Sequence, residues 1–412
     1  MLPGKPDDSR GDSRSCDNLM AAAPRFFERI EHTELVGSAP HLLRVTAGGA
    51  DFVLREWSAG TAAERAELAA RALRLAGPAS GNRLPVPQPL RGESETWALR
   101  TGDRIVSAAS WLAGRPLARY GDFRTPDGDV IDVPLPASAP AEAIVLEAVR
   151  TIGRFHVATA ALARESGAGA APLARLWRES QATWTGQRRE VGDRAANSPE
   201  IRRWLRCGNR ILPVASEYLE QSSATGVDTA IIHGDVWPAN LLIEGNAESR
   251  TLTGVVGWSR VAIGSPLIDL AHLAIHTSGW SGALAETILG AYTEVATLSP
   301  MERRLLPVVA ALDLVPRVGW LLHLAFVDDR MIGHESQPVL RSGLKSLLMS
   351  LENLTQILAP ESEWNQRKTS EVRRARSDSA TKTTAGRETK AGRPPGSTRS
   401  RPGSRPGTRK RD

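Results

Sequence analysis

The chain has 412 residues, 52 Lys+Arg against 46 Asp+Glu, and a formal net charge of +6. Its 41% hydrophobic and 24% charged content is that of a core-forming chain and excludes a wholly disordered one. Two cysteines, Cys16 and Cys207, exclude a disulfide framework or a thiolate metal site and fit a reducing cytoplasm.

The basic surplus is unevenly placed. Residues 365–412 hold 15 Lys+Arg and four acids, a local charge of +11, and are dominated by Ser, Thr, Gly, Pro and Arg. Such a composition cannot bury enough apolar surface to offset chain entropy, so this segment reads as a disordered basic tail. The tail offers weak, non-specific contact to nucleic acid or another anionic surface. Residues 1–364 carry 37 basic and 42 acidic residues, a charge of −5. Only six residues are lysine, and none lies between Lys5 and Lys345. Any role that needs a cation in the body therefore falls to arginine.

In chain order, residues 1–23 form a polar tail without the apolar stretch of a signal peptide, and Met20 is an alternative start. Residues 24–112 read as a β-rich lobe. HLLRVT (His41–Thr46) and DFVLREW (Asp51–Trp57) flank AGGA, a four-residue hairpin loop. AAERAELAARALRLAG (Ala62–Gly77) reads as a helix ended at Gly77-Pro78. RLPVPQPL is an extended connector, and TWALR and RIVSAASWL are two further strands. Residues 113–360 read as a larger helical lobe. Its most apolar stretch, Leu305–Phe326, contains Asp313, Arg317, Pro307 and Pro316. It therefore reads as a buried helix pair, kinked or split at the prolines, rather than as a membrane span. A soluble intracellular protein is expected.

The segment AIIHGDVWPANLLI (Ala230–Ile243) is the most informative. Two short apolar strands flank a polar loop that presents His233, Asp235 and Asn240. An Asp can take the proton of an attacking hydroxyl, and an Asn five residues on can ligate Mg²⁺. The catalytic loop of protein kinases has the same Asp-x-x-x-x-Asn spacing.

HGDVWPANLLI resembles the catalytic loop of the aminoglycoside phosphotransferase and choline kinase family, whose usual form is His-Gly-Asp-x-x-x-x-Asn. VVGWS and SPLIDLA resemble the strand and helix start that follow. FVLREW resembles the nucleotide-binding strand, SWLAGRPL the hinge, and EAVRTIGRFHVATAAL the first helix of the second lobe. The likeness covers roughly residues 26–350. It implies an α+β, bilobal protein-kinase-like fold and transfer of the γ-phosphate of ATP to a hydroxyl of a small molecule. It also implies Asp235 as base, His233 as a loop-holding or catalytic partner, and Asn240 on Mg²⁺. Arg55 falls where many kinases have a Lys on the phosphates. Its acidic partner is sought on the next helix. With Leu68 taken as the centre of the buried face, Glu64 turns inward and is preferred over Glu67.

The chain departs from the family at one segment. Gly257 stands where a metal-binding Asp is usual, Ser259 where an acid follows the aromatic, and Ser265 within the usual Gly-Asp-Pro. Asp269 remains, at a helix start where capping is its first expected job. The alternative is thus a catalytically impaired, binding-only protein. Asp313, Asp328, Asp329 and Glu335 lie where the family's substrate helices fall; they are either receptors for a cationic amine or surface acids.

Overall fold

The computed structural model describes residues 11–36, 39–57, 63–78, 81, 83–93, 95–102, 104–118, 121–124, 130–133, 142–166, 172–194, 198–223, 229–246, 249–327 and 337–361. The chain divides into two units, Met1–Pro360 and Glu361–Asp412. All elements below belong to the first. The basic tail, Asp328, Asp329 and Glu335 lie outside the described residues.

The first element is a helix, α1 (Gly11–Ala22), where a polar tail was expected. Leu19 and Ala22, with Ala23 and Phe27 just beyond, are buried against Leu43, Val45, Leu54, Val106 and Ala108. The apolar residues of this short helix are few, and Leu19 and Ala22 fall on the face that meets a sheet while Met20 is exposed. The N-terminal lobe therefore begins by residue 11, not at residue 24.

That sheet comprises β1 (His32–Val36), β2 (Ala39–Ala47) and β3 (Ala50–Trp57). After a helix, α2 (Ala63–Ala76), come β4 (Pro89–Leu90), β5 (Ala98–Thr101) and β6 (Arg104–Ser110). Strand order is β1-β2-β3-β6-β4, with β5 also paired to β6, and the pairs are antiparallel. Ala47 pairs with Ala50, so the β2–β3 turn is two residues rather than four. Gly48 and Gly49 have φ +58° and +73°, the double left-handed geometry that matches strand twist and favours glycine. Successive side chains alternate across the sheet. Leu54 faces α1, whereas Trp57 packs with Ala66, Ala69 and Leu73 of α2 in the main core.

Beyond the hinge, β7 (Arg115–Pro116) pairs with a strand of the second lobe. A hairpin of β8 (Gly121–Arg124) and β9 (Val130–Val133) follows, in a segment that the sequence reading passed over. Then come α3 (Glu142–Glu165), α4 (Pro172–Arg194) and α5 (Pro199–Ser223). Four short strands interrupt the helices: β10 (Ala230–Ile232), β11 (Leu241–Glu244), β12 (Thr251–Val255) and β13 (Ala262–Gly264). The lobe ends with α6 (Leu267–Ser278), α7 (Gly282–Thr293), α8 (Pro300–Phe326) and α9 (Gln337–Leu358).

α8 is one continuous helix, not the split pair expected from Pro307 and Pro316. Pro316 has no N–H to give to the carbonyl of Leu312, four residues back. The hydroxyl of Ser180 on α4 donates to that carbonyl at 2.8 Å instead. Trp204 Nε1 and Gln187 Nε2 donate to the carbonyls of Val315 and Pro316 at 2.9 Å each. At Pro316 a neighbouring helix thus supplies the donor that proline removes, and two further side chains tie α4 and α5 to the same turn. By length and composition α8 is apolar enough to cross a membrane, but it lies buried at the centre of the helical lobe.

Candidate active site

β10 and β13 pair antiparallel, and β11 pairs with both β12 and β7. Residues 233–240 bridge these two small sheets and close with a 3-10 turn at Pro238–Asn240. Gly234, at φ +76°, runs directly beneath the carbonyl of Arg260, where a Cβ would not fit.

Asp269 holds the start of this loop. It lies in the first turn of α6 but does not cap its own helix, contrary to expectation. Its carboxylate accepts the backbone N–H groups of His233 and Gly234, both at 2.8 Å. It also meets His156 Nε2 at 3.1 Å, and His156 Nδ1 lies 3.0 Å from the Tyr292 hydroxyl. Burial alone favours the neutral acid. The His156 hydrogen bond and the surrounding imidazoles outweigh it and hold the carboxyl below the usual carboxylate range. With its oxygens so engaged and 0% exposed, Asp269 does not serve as a substitute metal ligand.

His233 is also fully buried. Its Nε2 donates to the Val256 carbonyl at 2.8 Å, and its Nδ1 accepts the Asp235 N–H at 3.2 Å. Burial holds the imidazole below its ordinary pKa, hence neutral. These contacts give His233 the loop-holding role of the two expected for it: the residue ties the loop to the end of β12.

Asp235 is half-buried. Its Oδ1 accepts the indole N–H of Trp237. Asn240 Nδ2 donates to the Asp235 carbonyl at 2.8 Å, which closes the loop on itself. On the far side of Asn240 lies Gly257, at φ +84°. A Cβ at 257 would fall well inside van der Waals contact of the Asn240 carboxamide. The carboxamide therefore fills the space that a carboxylate side chain at 257 needs. Among the described residues, no group of three or more His, Cys, Asp or Glu could hold a metal ion.

Arg55 points to the Trp57 face of the sheet, beside His41. Burial, then the charge of Arg55, pushes His41 down to about 4. Glu64, however, is exposed on α2. The buried face of α2 is Ala66, Ala69, Ala70, Ala72, Leu73 and Ala76, not one centred on Leu68. Glu64 is therefore not the inward-facing acid that was expected beside Arg55. The buried acid of this lobe is instead Glu56, bonded by Asn18 at 3.1 Å and near Arg104 at 3.7 Å.

Sequence reasoning missed the cluster beside Asp235. Trp237 is buried, stacks on His276 with ring centroids 3.5 Å apart, and carries the Arg317 guanidinium 4.1 Å from its ring centre. Asp313 is neither a surface acid nor an open receptor. It pairs with Arg317 at 2.9 Å and meets His272 at 3.2 Å. Although burial works against ionisation, Arg317 and His272 hold its carboxyl well below the usual range. The signal for these contacts was the i, i+4 spacing of His272 with His276 and of Asp313 with Arg317.

A strand-rich lobe, a short hinge and a helical lobe that presents a pinned polar loop define a protein-kinase-like fold. The chain belongs to the phosphotransferase enzyme family, whose family model matches residues 37–308. Among solved structures, a microcompartment-associated aminopropanol kinase is 16% identical, covers 81% of this chain and 95% of its own, and has a TM-score of 0.54. An aminoglycoside phosphotransferase from Alicyclobacillus acidocaldarius subsp. acidocaldarius is 17% identical, with coverages of 82% and 96% and a TM-score of 0.49. A macrolide 2'-phosphotransferase from Brachybacterium faecium is 20% identical, with coverages of 80% and 98% and a TM-score of 0.43. At these identities the likeness is one of fold. No curated protein sequence matches the chain.

Proposed function

We propose that the chain transfers the γ-phosphoryl group of ATP to a hydroxyl of a small molecule. The observation that carries this reading is the half-buried Asp235 carboxylate on a loop pinned by Asp269, His233 and Asn240. The hydroxyl oxygen forms the new bond to the γ-phosphorus, the bond to the bridging oxygen breaks, ADP leaves, and the hydroxyl proton passes to Asp235. Arg55 lies on the Trp57 side of the sheet, and its fork suits phosphate oxygens.

The residues present do not fit the family's Mg²⁺ site. Gly257 supplies no side-chain oxygen, which leaves the Asn240 Oδ1 without the carboxylate that would share a cation with it; the Asn240 Nδ2 donates to the Asp235 carbonyl. No step is therefore derived through a metal. A missing metal ligand removes several kcal/mol of transition-state stabilisation, or about 10³ in rate. The expected enzyme is slow. Asp313 is already neutralised by Arg317, so this carboxylate is not a receptor for a cationic amine.

The Gly257–Asn240 contact also favours a second reading, in which the fold binds nucleotide or a small ligand without turnover. Thermal stabilisation by ATP, with and without Mg²⁺, and a phosphate-release assay separate the two. ATP binding with slow turnover supports transfer. Binding without turnover supports the second reading, and no binding at all sinks both.

A further inference from the structure

A chain of contacts runs from α6 through α8 to the proposed base. His272 meets Asp313 at 3.2 Å. Asp313 receives Arg317 Nε at 2.9 Å, with Arg317 Nη2 at 3.4 Å from its second oxygen. The guanidinium lies 4.1 Å from the centre of the Trp237 ring, and the His276 ring lies stacked 3.5 Å from the same indole. The indole N–H donates to Asp235 Oδ1. His272, His276 and Trp237 are buried, and Arg317, Asp313 and Asp235 are partly buried beside them.

These links have a directional consequence. A carboxylate on a loop rotates freely about its side-chain torsions unless one oxygen is fixed. Here the fixing group is an indole N–H, whose direction is set by the plane of the ring. That plane is set by the imidazole stacked on it and by the cation drawn to its π-cloud. The cation is in turn fixed by the fork it makes with Asp313.

We propose that Trp237 is a positioning residue for Asp235, and that Arg317, anchored by Asp313 and His272, orients Trp237 and through it the carboxylate. The clamp rests on the reading of Asp235 as the proton acceptor. It assigns a function to four side chains that the transfer step itself does not touch. Positioning errors of about 1 Å at a reacting group cost on the order of 10² in rate, so the clamp acts on turnover rather than on nucleotide binding.

The test uses the full chain labelled with ¹⁵N at tryptophan, with the Trp237 indole signal assigned by its loss in Trp237→Phe. ATP hydrolysis with water as acceptor gives a kinetic readout that needs no identified substrate. Arg317→Leu is expected to move the Trp237 indole signal and to lower ATP turnover about tenfold, with KM for ATP within about twofold. Arg317→Lys, which keeps the cation, restores most of both. Trp237→Phe keeps a ring but removes the donor and lowers turnover to a similar degree. In that background Arg317→Leu adds no further loss, because the donor it steers is gone. Should Arg317→Leu not fold, Arg317→Gln, which removes the cation but keeps a polar side chain, takes its place in both comparisons. An indole signal indifferent to Arg317, or full turnover in Trp237→Phe, overturns the proposal. An indole signal that responds to Arg317 in a protein that never turns over ATP sinks the phosphotransfer reading and leaves the clamp standing.

Discussion

Gly257 and Asn240 are packed so closely that a side chain at 257 and the present position of the Asn240 carboxamide exclude each other. Gly257 also sits at φ +84°, where a side chain costs about 1–2 kcal/mol. Gly257→Asp is therefore expected to act in two opposite directions. It lowers the melting temperature, because Asn240 must swing aside. It raises Mg²⁺-dependent ATP turnover about tenfold or more, because it supplies the absent carboxylate oxygen. Calorimetry with turnover assays across a Mg²⁺ titration reads both. A variant with wild-type stability contradicts the packing described, and one without any Mg²⁺ response contradicts the role given to position 257.

The second prediction concerns acid. His276 is fully buried, neither ring nitrogen has a hydrogen-bond partner among the described residues, and its pKa is held well below the ordinary value. Burial is the main cause, followed by the charges of Arg317 and His272, with Asp313 opposing. The unfolded chain takes up a proton here below about pH 6.5, while the folded protein does not. Stability is thus fully present above that pH and falls as pH drops through the window beneath it. Asp269 and Asp313, both with depressed carboxyls, add a further loss below about pH 4. Urea unfolding between pH 7.5 and pH 5, taken as about the accessible range, should show a positive slope of stability with pH. His276→Phe keeps a ring on Trp237 and should make that slope shallower, with His233 and His41 carrying the remainder, without loss at neutral pH, since an unpaired polar group is replaced by an apolar one. An unchanged slope contradicts the assignment.

A third prediction tests how α8 survives its internal proline. Ser180 is buried, and its hydroxyl serves the Leu312 carbonyl that Pro316 leaves without a donor. Ser180→Ala should cost about 1–3 kcal/mol, the price of an unsatisfied buried carbonyl. ATP affinity should stay unchanged. Chemical denaturation measures the first quantity and calorimetric titration the second. Wild-type stability in this variant would mean that the carbonyl is satisfied by another route.

The catalytic loop and the two-lobe order were legible because both depend on short-range pattern: apolar runs around His233–Asn240, and strand alternation in residues 41–57. What escaped depends on packing across the chain. The inward face of α2 is made mostly of alanines, which allow close approach but carry little hydrophobic signal, so an angle measured from Leu68 pointed Glu64 the wrong way. Leu75 is 38% exposed, which shows how weakly leucines marked that face. α1 has few apolar residues, and its burial depends on a sheet that follows it in the chain. Asp269 looked like a helix cap from its position alone. Its true partners, the N–H groups of residues 233 and 234, lie more than thirty positions back in the chain. The likeness to the family located the loop, and only the fold showed that Trp237 and Arg317 stand behind it.

The central claim is that Asp235 takes the proton from the attacking hydroxyl. Its most direct test compares ATP turnover in the wild type and in Asp235→Asn, at equal nucleotide occupancy set by measured affinities. Asp235→Asn keeps the shape of the side chain, so melting temperature and ATP affinity should be unchanged. Turnover should fall by about 10²–10⁴, the usual weight of a positioned general base. Equal turnover in the two proteins, or ATP bound by the wild type without any turnover, contradicts the account.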